Sequence, residues 1–345
     1  MRNVGLHALK TLSCFSAVTF YSASKTCTEQ CFLSGEVMGV LYFLSIIATP
    51  LFFMIIGYID SNDKIDQKDI FRKLKSIITI IIFWNVLFYF INEDGFKRGY
   101  FLQSWLLFSI AIIYLINPII SKILKSNRTA IITLSCLVIF SVTIDLISAF
   151  SERPYLIDFP QYFRLWTWIF YYMTGRFLCS RICQKMTKLP KVRLAAKLLL
   201  LPTSISMYYY ESFMSIYVYK TVNASYFLDN FHVLVLSLCL FVIFDNFDTQ
   251  YEWIKKTLAY ISPSMIGVYI LHDGIFYFIA SAYNLSDVTL RFTLLLSVFA
   301  ASVLLSRALL LNKYTSRYYL ILIEKDLIVI IWERADLMEG YHYPR

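Results

Sequence analysis

The sequence predicts an all-α, polytopic integral membrane protein with about ten transmembrane helices and both termini in the cytoplasm. Three observations predict it. Residues of the AVILMFWYC set make up 58% of the chain and charged residues 16%, against roughly 45–50% and ~25% in a soluble domain. Apolar stretches close to the ~20 residues that one spanning helix needs recur at 5–23, 37–60, 76–92, 101–121, 129–150, 164–180, 196–218, 230–247, 259–282 and 289–311. Basic residues fall on alternate connections: with a cytoplasmic N-terminus, 25 of the 32 lie inside, as the positive-inside rule expects. The formal charge of +9 is thus topological. No nucleic-acid partner is expected, because the basic residues form no single face.

The first segment is polar for a membrane span. Its stretch 11-TLSCFSAVTFYSAS-24 is poorly suited to face lipid, which predicts a helix buried among the others. The competing reading is a signal peptide, with Arg2 and Lys10 ahead of the apolar run and 22-SAS-24 as a cleavage site. The second segment, 48-ATPLFFMIIGYID-60, carries Pro50 and Gly57. Both are poor helix residues, tolerated in lipid only where neighbours or a cavity satisfy the freed backbone groups. The third begins behind Arg72, Lys73 and Lys75, and the fourth holds Gln103, Trp105 and Pro118.

An ionisable group inside a span is a functional candidate by default. The fifth segment has Asp145 and the seventh Glu211, each expected to pair with a basic residue of a neighbouring helix or to serve chemistry. Arg164 and Arg176 bracket the sixth, Asp245 closes the eighth, and all three sit near enough to a span end to snorkel into the interface. The ninth has His272 in mid-span, followed by Asp273. A packed histidine is the plain explanation, and a base the functional one. The tenth ends at residue 311, and the gaps leave no room for a soluble domain. We therefore read residues 1–311 as one membrane-embedded domain and 312–345 as a cytoplasmic or membrane-surface tail. Among the seven cysteines, Cys27 and Cys31 flank a connection expected outside and pair if it faces an oxidising space. Cys179 and Cys183 face the reducing side. Neither pair comes with histidines at zinc spacing, so no metal site is expected.

The motifs then add a resemblance. The stretch 49-TPLFFMIIGYI-59 resembles the VPLFFMISGYL signature of the second helix in the integral-membrane acyltransferase family known as acyltransferase-3. The stretch 103-QSWLLFSIAIIYLINPII-120 is similar to the family's HLWFL…YL…P helix, and 267-GVYILH-272 to its GIYLIH motif. Three motifs stand in the family's order, and the resemblance covers roughly residues 6–311. It implies an O-acetyltransferase of bacterial surface polysaccharides in the inner (cytoplasmic) membrane. The donor would be acetyl-CoA or another acyl-CoA, a substrate rather than a bound cofactor, and the acceptor a lipid-linked or surface glycan.

The resemblance also implies site residues. The family's first helix carries an arginine and, eleven residues on, a histidine taken as the catalytic base. Those positions are Lys10 and Tyr21 here, and His7 stands where the family has an acidic residue. Gln103 replaces the histidine of HLW, and Ile56 the serine of FMISGY. Tyrosine, with a pKa near ~10, is a poor base at neutral pH, so the base is expected at His272 first and His7 second. Trp105 and Tyr269, with Gln103, would position the sugar, and Arg72, Lys73 and Lys75 would hold the CoA phosphates. Two further readings fit the altered positions: a protein that binds acyl donor or glycolipid without turnover, and a secondary transporter. The last should show two similar halves, and none is visible.

Overall fold

The computed structural model describes residues 4–61, 67–91, 105–151, 154–155, 163–245, 247–280 and 287–311. Gln103 and the tail 312–345 lie outside them. Every regular element among the described residues is helical: α1 (Val4–Thr26), α2 (Glu29–Leu33), α3 (Val37–Leu44), α4 (Ala48–Asp60), α5 (Gln67–Ile91), α6 (Trp105–Ile123), α7 (Asn127–Phe150), α8 (Leu165–Leu178), α9 (Arg181–Thr187), α10 (Pro190–Met214), α11 (Phe231–Asp245), α12 (Glu252–Ile261), α13 (Met265–Ala280) and α14 (Val288–Leu311).

Five stretches among these residues are long and apolar enough to cross a membrane: Val37–Asp60, Trp105–Ile123, Asn127–Phe150, Glu252–Ala280 and Val288–Leu311. The sequence expectation of ten is reached only by counting shorter or more polar helices as well. α8 has 14 residues and α11 has 15, so each extends only about 22 Å, less than the ~30 Å hydrocarbon core. The chain divides into two compact units, one of residues 1–64 and 119–306, the other of residues 65–118 and 307–345.

In the first unit α1 is the packing centre, set against α3, α4, α11, α12 and α13. Its polar residues make that possible. Ser13, Cys14, Ser16, Thr19 and Ser22 are buried, and small side chains let backbones approach closely. Thr19 returns its hydroxyl to the Phe15 carbonyl (2.8 Å) and Thr26 to Ser22 (2.8 Å), so neither is left unsatisfied away from water.

The two stretches that α1 touches along their length are both interrupted. A 3-10 turn, Ser45–Ile47, separates α3 from α4, and another, Ser262–Ser264, separates α12 from α13. Pro50 and Pro263 explain the breaks, since each lacks the N–H that the carbonyl four residues earlier would need. Polar neighbours meet the disturbed backbone. Ser13 of α1 donates to the Ala48 carbonyl (2.8 Å), the adjacent Cys14 to that of Met265 (3.2 Å), and Ser306 of α14 to that of Ser264 (2.8 Å). Gly57 has a different cause. A Cβ there would collide with the Tyr172 carbonyl oxygen, and one on Gly175 with that of Met54. α4 and α8 therefore cross backbone to backbone, with Phe53 stacked on Trp168 (centroids 5.1 Å, planes 16° apart). Of the neighbours or cavity expected beside this glycine, the structure supplies a neighbouring helix.

α7 is inverted relative to a water-soluble helix. It buries Ala130, Ser141, Asp145 and Ser148 and exposes Ile131, Ile132, Ile139, Leu146 and Ile147. The spacing of Ser141, Asp145 and Ser148 puts them on one face. An apolar outside and a polar inside is the arrangement that lipid as solvent demands.

Candidate active site

The histidine in mid-helix gathers the first cluster. His272 is 6% exposed on α13. Its Nδ1 lies 2.7 Å from the Tyr269 carbonyl oxygen, one turn back. A carbonyl only accepts, so Nδ1 carries the proton in the neutral ring and Nε2 is left as the basic nitrogen. Tyr21 of α1 stands edge-on to the imidazole, with ring centroids 5.1 Å apart, and edge-on to Phe276 at 5.4 Å. The Tyr21 hydroxyl donates to the Asp273 carboxylate. Tyr269 lies 5.8 Å from His272 and stacks on Phe52 of α4 at 6.2 Å. Helices far apart in sequence thus meet in a group holding a phenol, a carboxylate and an imidazole.

Of the residues expected from the sequence, this group takes in His272, Tyr21 and Tyr269. It adds Asp273, which the sequence reading noted only as a neighbour of the histidine. Its signal was available: a second ionisable side chain in the same apolar run. Lys10 and His7 do not join. Lys10 shares the Tyr21 face of α1, but eleven residues of helix separate them by about 16 Å, and His7 lies one turn farther. Trp105, Arg72, Lys73 and Lys75 belong to the second unit. There Arg72 pairs with Asp69 at 2.6 Å on an exposed turn of α5, and the Lys73 ammonium lies 5.1 Å from the Tyr114 ring centroid. Gln103 is outside the described residues.

A second polar group lies where α8 begins. Arg164 is 1% exposed, so it does not snorkel as the sequence suggested. It donates to the carbonyls of Ser225 (3.1 Å) and Tyr226 (3.3 Å) and to Asp229 (3.4 Å). Thr167 completes the carboxylate's shell by donating to its other oxygen. Burial pushes the Asp229 carboxyl above its ordinary value, while Arg164 and Thr167 pull it back. Of the two span carboxylates expected to meet a basic residue, Asp145 lies within electrostatic reach of Arg164, and no basic residue pairs with Glu211 among the described residues. Glu211 is fully buried with neither oxygen hydrogen-bonded, and Asp145 Oδ1 is likewise unpartnered. At the far end of α4 the other polar residues do pair. Tyr58 donates to Asp245 (2.8 Å), Tyr172 to Asp60 (2.9 Å), and Arg176 to Ser121 (3.0 Å).

No curated protein and no solved structure matches the chain. The family described as an acyltransferase domain matches residues 4–311, a range that includes every helix named above and both members of the Tyr21–Asp273 contact. The chain belongs to this family of membrane acyltransferases.

Proposed function

We propose that the protein is a membrane O-acyltransferase, most simply an O-acetyltransferase, that moves an acyl group from acyl-CoA to a hydroxyl of a lipid-linked or cell-surface glycan in the bacterial inner membrane. In size and layout it resembles the enterobacterial common antigen O-acetyltransferase, a modifier of a surface polysaccharide. The observation that carries the reading is the Tyr21–Asp273–His272 group, on helices that the family match covers.

In this reading His272 Nε2 takes the proton of the acceptor hydroxyl as its oxygen attacks the thioester carbonyl carbon. The C–S bond breaks as the tetrahedral intermediate collapses, and the proton passes to the departing CoA thiolate. Tyr21 serves as a donor rather than a base, holding Asp273 and bracing the imidazole edge. Tyr269 fixes the tautomer through its carbonyl; sugar binding is the role that the resemblance implies for it and for Gln103 and Trp105. Arg72, Lys73 and Lys75 supply charge-assisted bonds to the CoA phosphates.

The test is acetylation of purified surface glycan in a strain that lacks its own acetylase. We expect acetyl with the native chain and a loss of about 100-fold or more with His272→Ala, the usual scale for a general base. Tyr21→Phe and Asp273→Asn should reduce the rate less. Acetyl that survives His272→Ala removes the base assignment. No acetyl on any acceptor, with the protein folded in the membrane, favours a catalytically inactive relative that binds donor or glycolipid.

A further inference from the structure

We infer that Cys27 and Cys31 form a disulfide in the mature protein, a modification that fastens the end of α1 to α2. The two thiols are four residues apart where α1 gives way to α2, near enough for Cys27 to act on the Cys31 thiol. The Cys27 amide still donates to the Ala23 carbonyl at 2.9 Å, so the first cysteine continues the turn of α1. Cys27 and Thr28 lie between the two helices and α2 begins at Glu29, so a bond between the thiols would tie one helix to the next. Access differs between the two. Cys31 is 2% exposed and Cys27 partly exposed.

That asymmetry orders the reaction. The Cys27 thiolate attacks an external disulfide, of a small molecule or of a dithiol oxidant protein, forming a mixed disulfide and releasing one thiolate. The Cys31 thiolate then attacks Cys27 Sγ and expels the second. The two protons go to the two released thiolates, and the two electrons reduce the external disulfide.

The compartment follows from the position of the second cysteine pair. Cys27 and Cys31 precede Val37, where the long stretch Val37–Asp60 begins. Cys179 and Cys183 follow α8, whose Tyr172 reaches Asp60 at that stretch's other end. Twenty-four helical residues make about 36 Å, enough to part the two cysteine pairs across a bilayer. The end bearing Cys179 and Cys183 also bears Arg181, Lys185, Lys188 and Lys191, the mark of a cytoplasmic face. Thiols there stay reduced, and Cys27 and Cys31 face the oxidising side.

The experiment is thiol counting on the full chain in isolated membranes. Membranes are quenched with acid, denatured and labelled with a maleimide polymer, with and without prior reduction. We expect five of the seven thiols to label without reductant and seven with it. Cys27→Ser and Cys31→Ser should each show six under both conditions, and digestion should yield the Cys27–Cys31 cross-linked peptide by mass. Seven labelled thiols without reductant, or a reductant-dependent shift that persists in Cys27→Ser, overturns the inference. The count on the native chain decides the matter even if a variant fails to fold, and it does not depend on transferase activity.

Discussion

Arg164 and Asp229 form an ion pair shut off from solvent, and the consequence is measurable. Both side chains are essentially without solvent, at 1% and 0% exposed, so removing one strands a charge. Arg164→Ala should destabilise the protein by about 3–5 kcal/mol, whereas replacing both partners by apolar residues of similar size should cost far less. Thermal unfolding in detergent, with the double variant compared against the singles, checks this. The pair was only half legible in the sequence. Arg164 was visible as a charge near a span end, but Asp229 lies 65 residues on in a short connection, and no local periodicity joins them. Tyr21 and Asp273 show the same limit over 252 residues. His272 was visible because imidazole is rare in an apolar run, whereas its partners follow from which helices cross, a property of tertiary packing. Glu211 illustrates the converse. Its depth was legible, but no cation pairs with it among the described residues.

At the scale of helices, the sequence located the elements well and their interruptions less well. Pro50 announced a disturbance, and the structure resolves it into a 3-10 turn before the proline. The matching turn at Ser262–Ser264 fell at the edge of an expected span and was not anticipated, since 262-SPS-264 also reads as a helix boundary. Gly57 was read as part of the same disturbance, although its cause is contact with α8. A sequence shows that a glycine is present but not which backbone approaches it. We expect Gly57→Ala and Gly175→Ala each to force α4 and α8 apart and to cost about 1–3 kcal/mol, the usual penalty for overpacking. A Gly274→Ala change on α13 serves as a comparison. Folded yield and unfolding temperature of the purified protein report the difference.

For the molecule as a whole, composition sufficed to name the solvent. An inside-out helix such as α7, with carboxyl and hydroxyl groups inward and isoleucines outward, is what a 58% apolar chain must build in lipid. The number of crossings was less legible, because counting apolar runs assumes that each reaches both faces, and α8 and α11 are too short to do so when straight and upright. Reporter fusions placed after Asp60, Phe150 and Leu311 should report the cytoplasm, the exterior and the cytoplasm in turn if the charge bias sets orientation. An exterior signal after Leu311 would remove one crossing or add one.

The position of α1 carries a consequence for how the protein is made. Cys14 reaches the carbonyl of Met265, 251 residues later in the chain, and the same helix buries five hydroxyl-bearing residues at Ser13, Ser16, Thr19, Ser22 and Thr26. During synthesis this helix leaves the ribosome well before its docking surface on α13, which follows more than two hundred residues later. Until then it has an incomplete set of neighbours in a bilayer that offers its hydroxyls no water. Nascent chains stalled before Met265 should therefore leave α1 open to protease or held by the insertion machinery, and protection should appear only once α13 has entered the membrane.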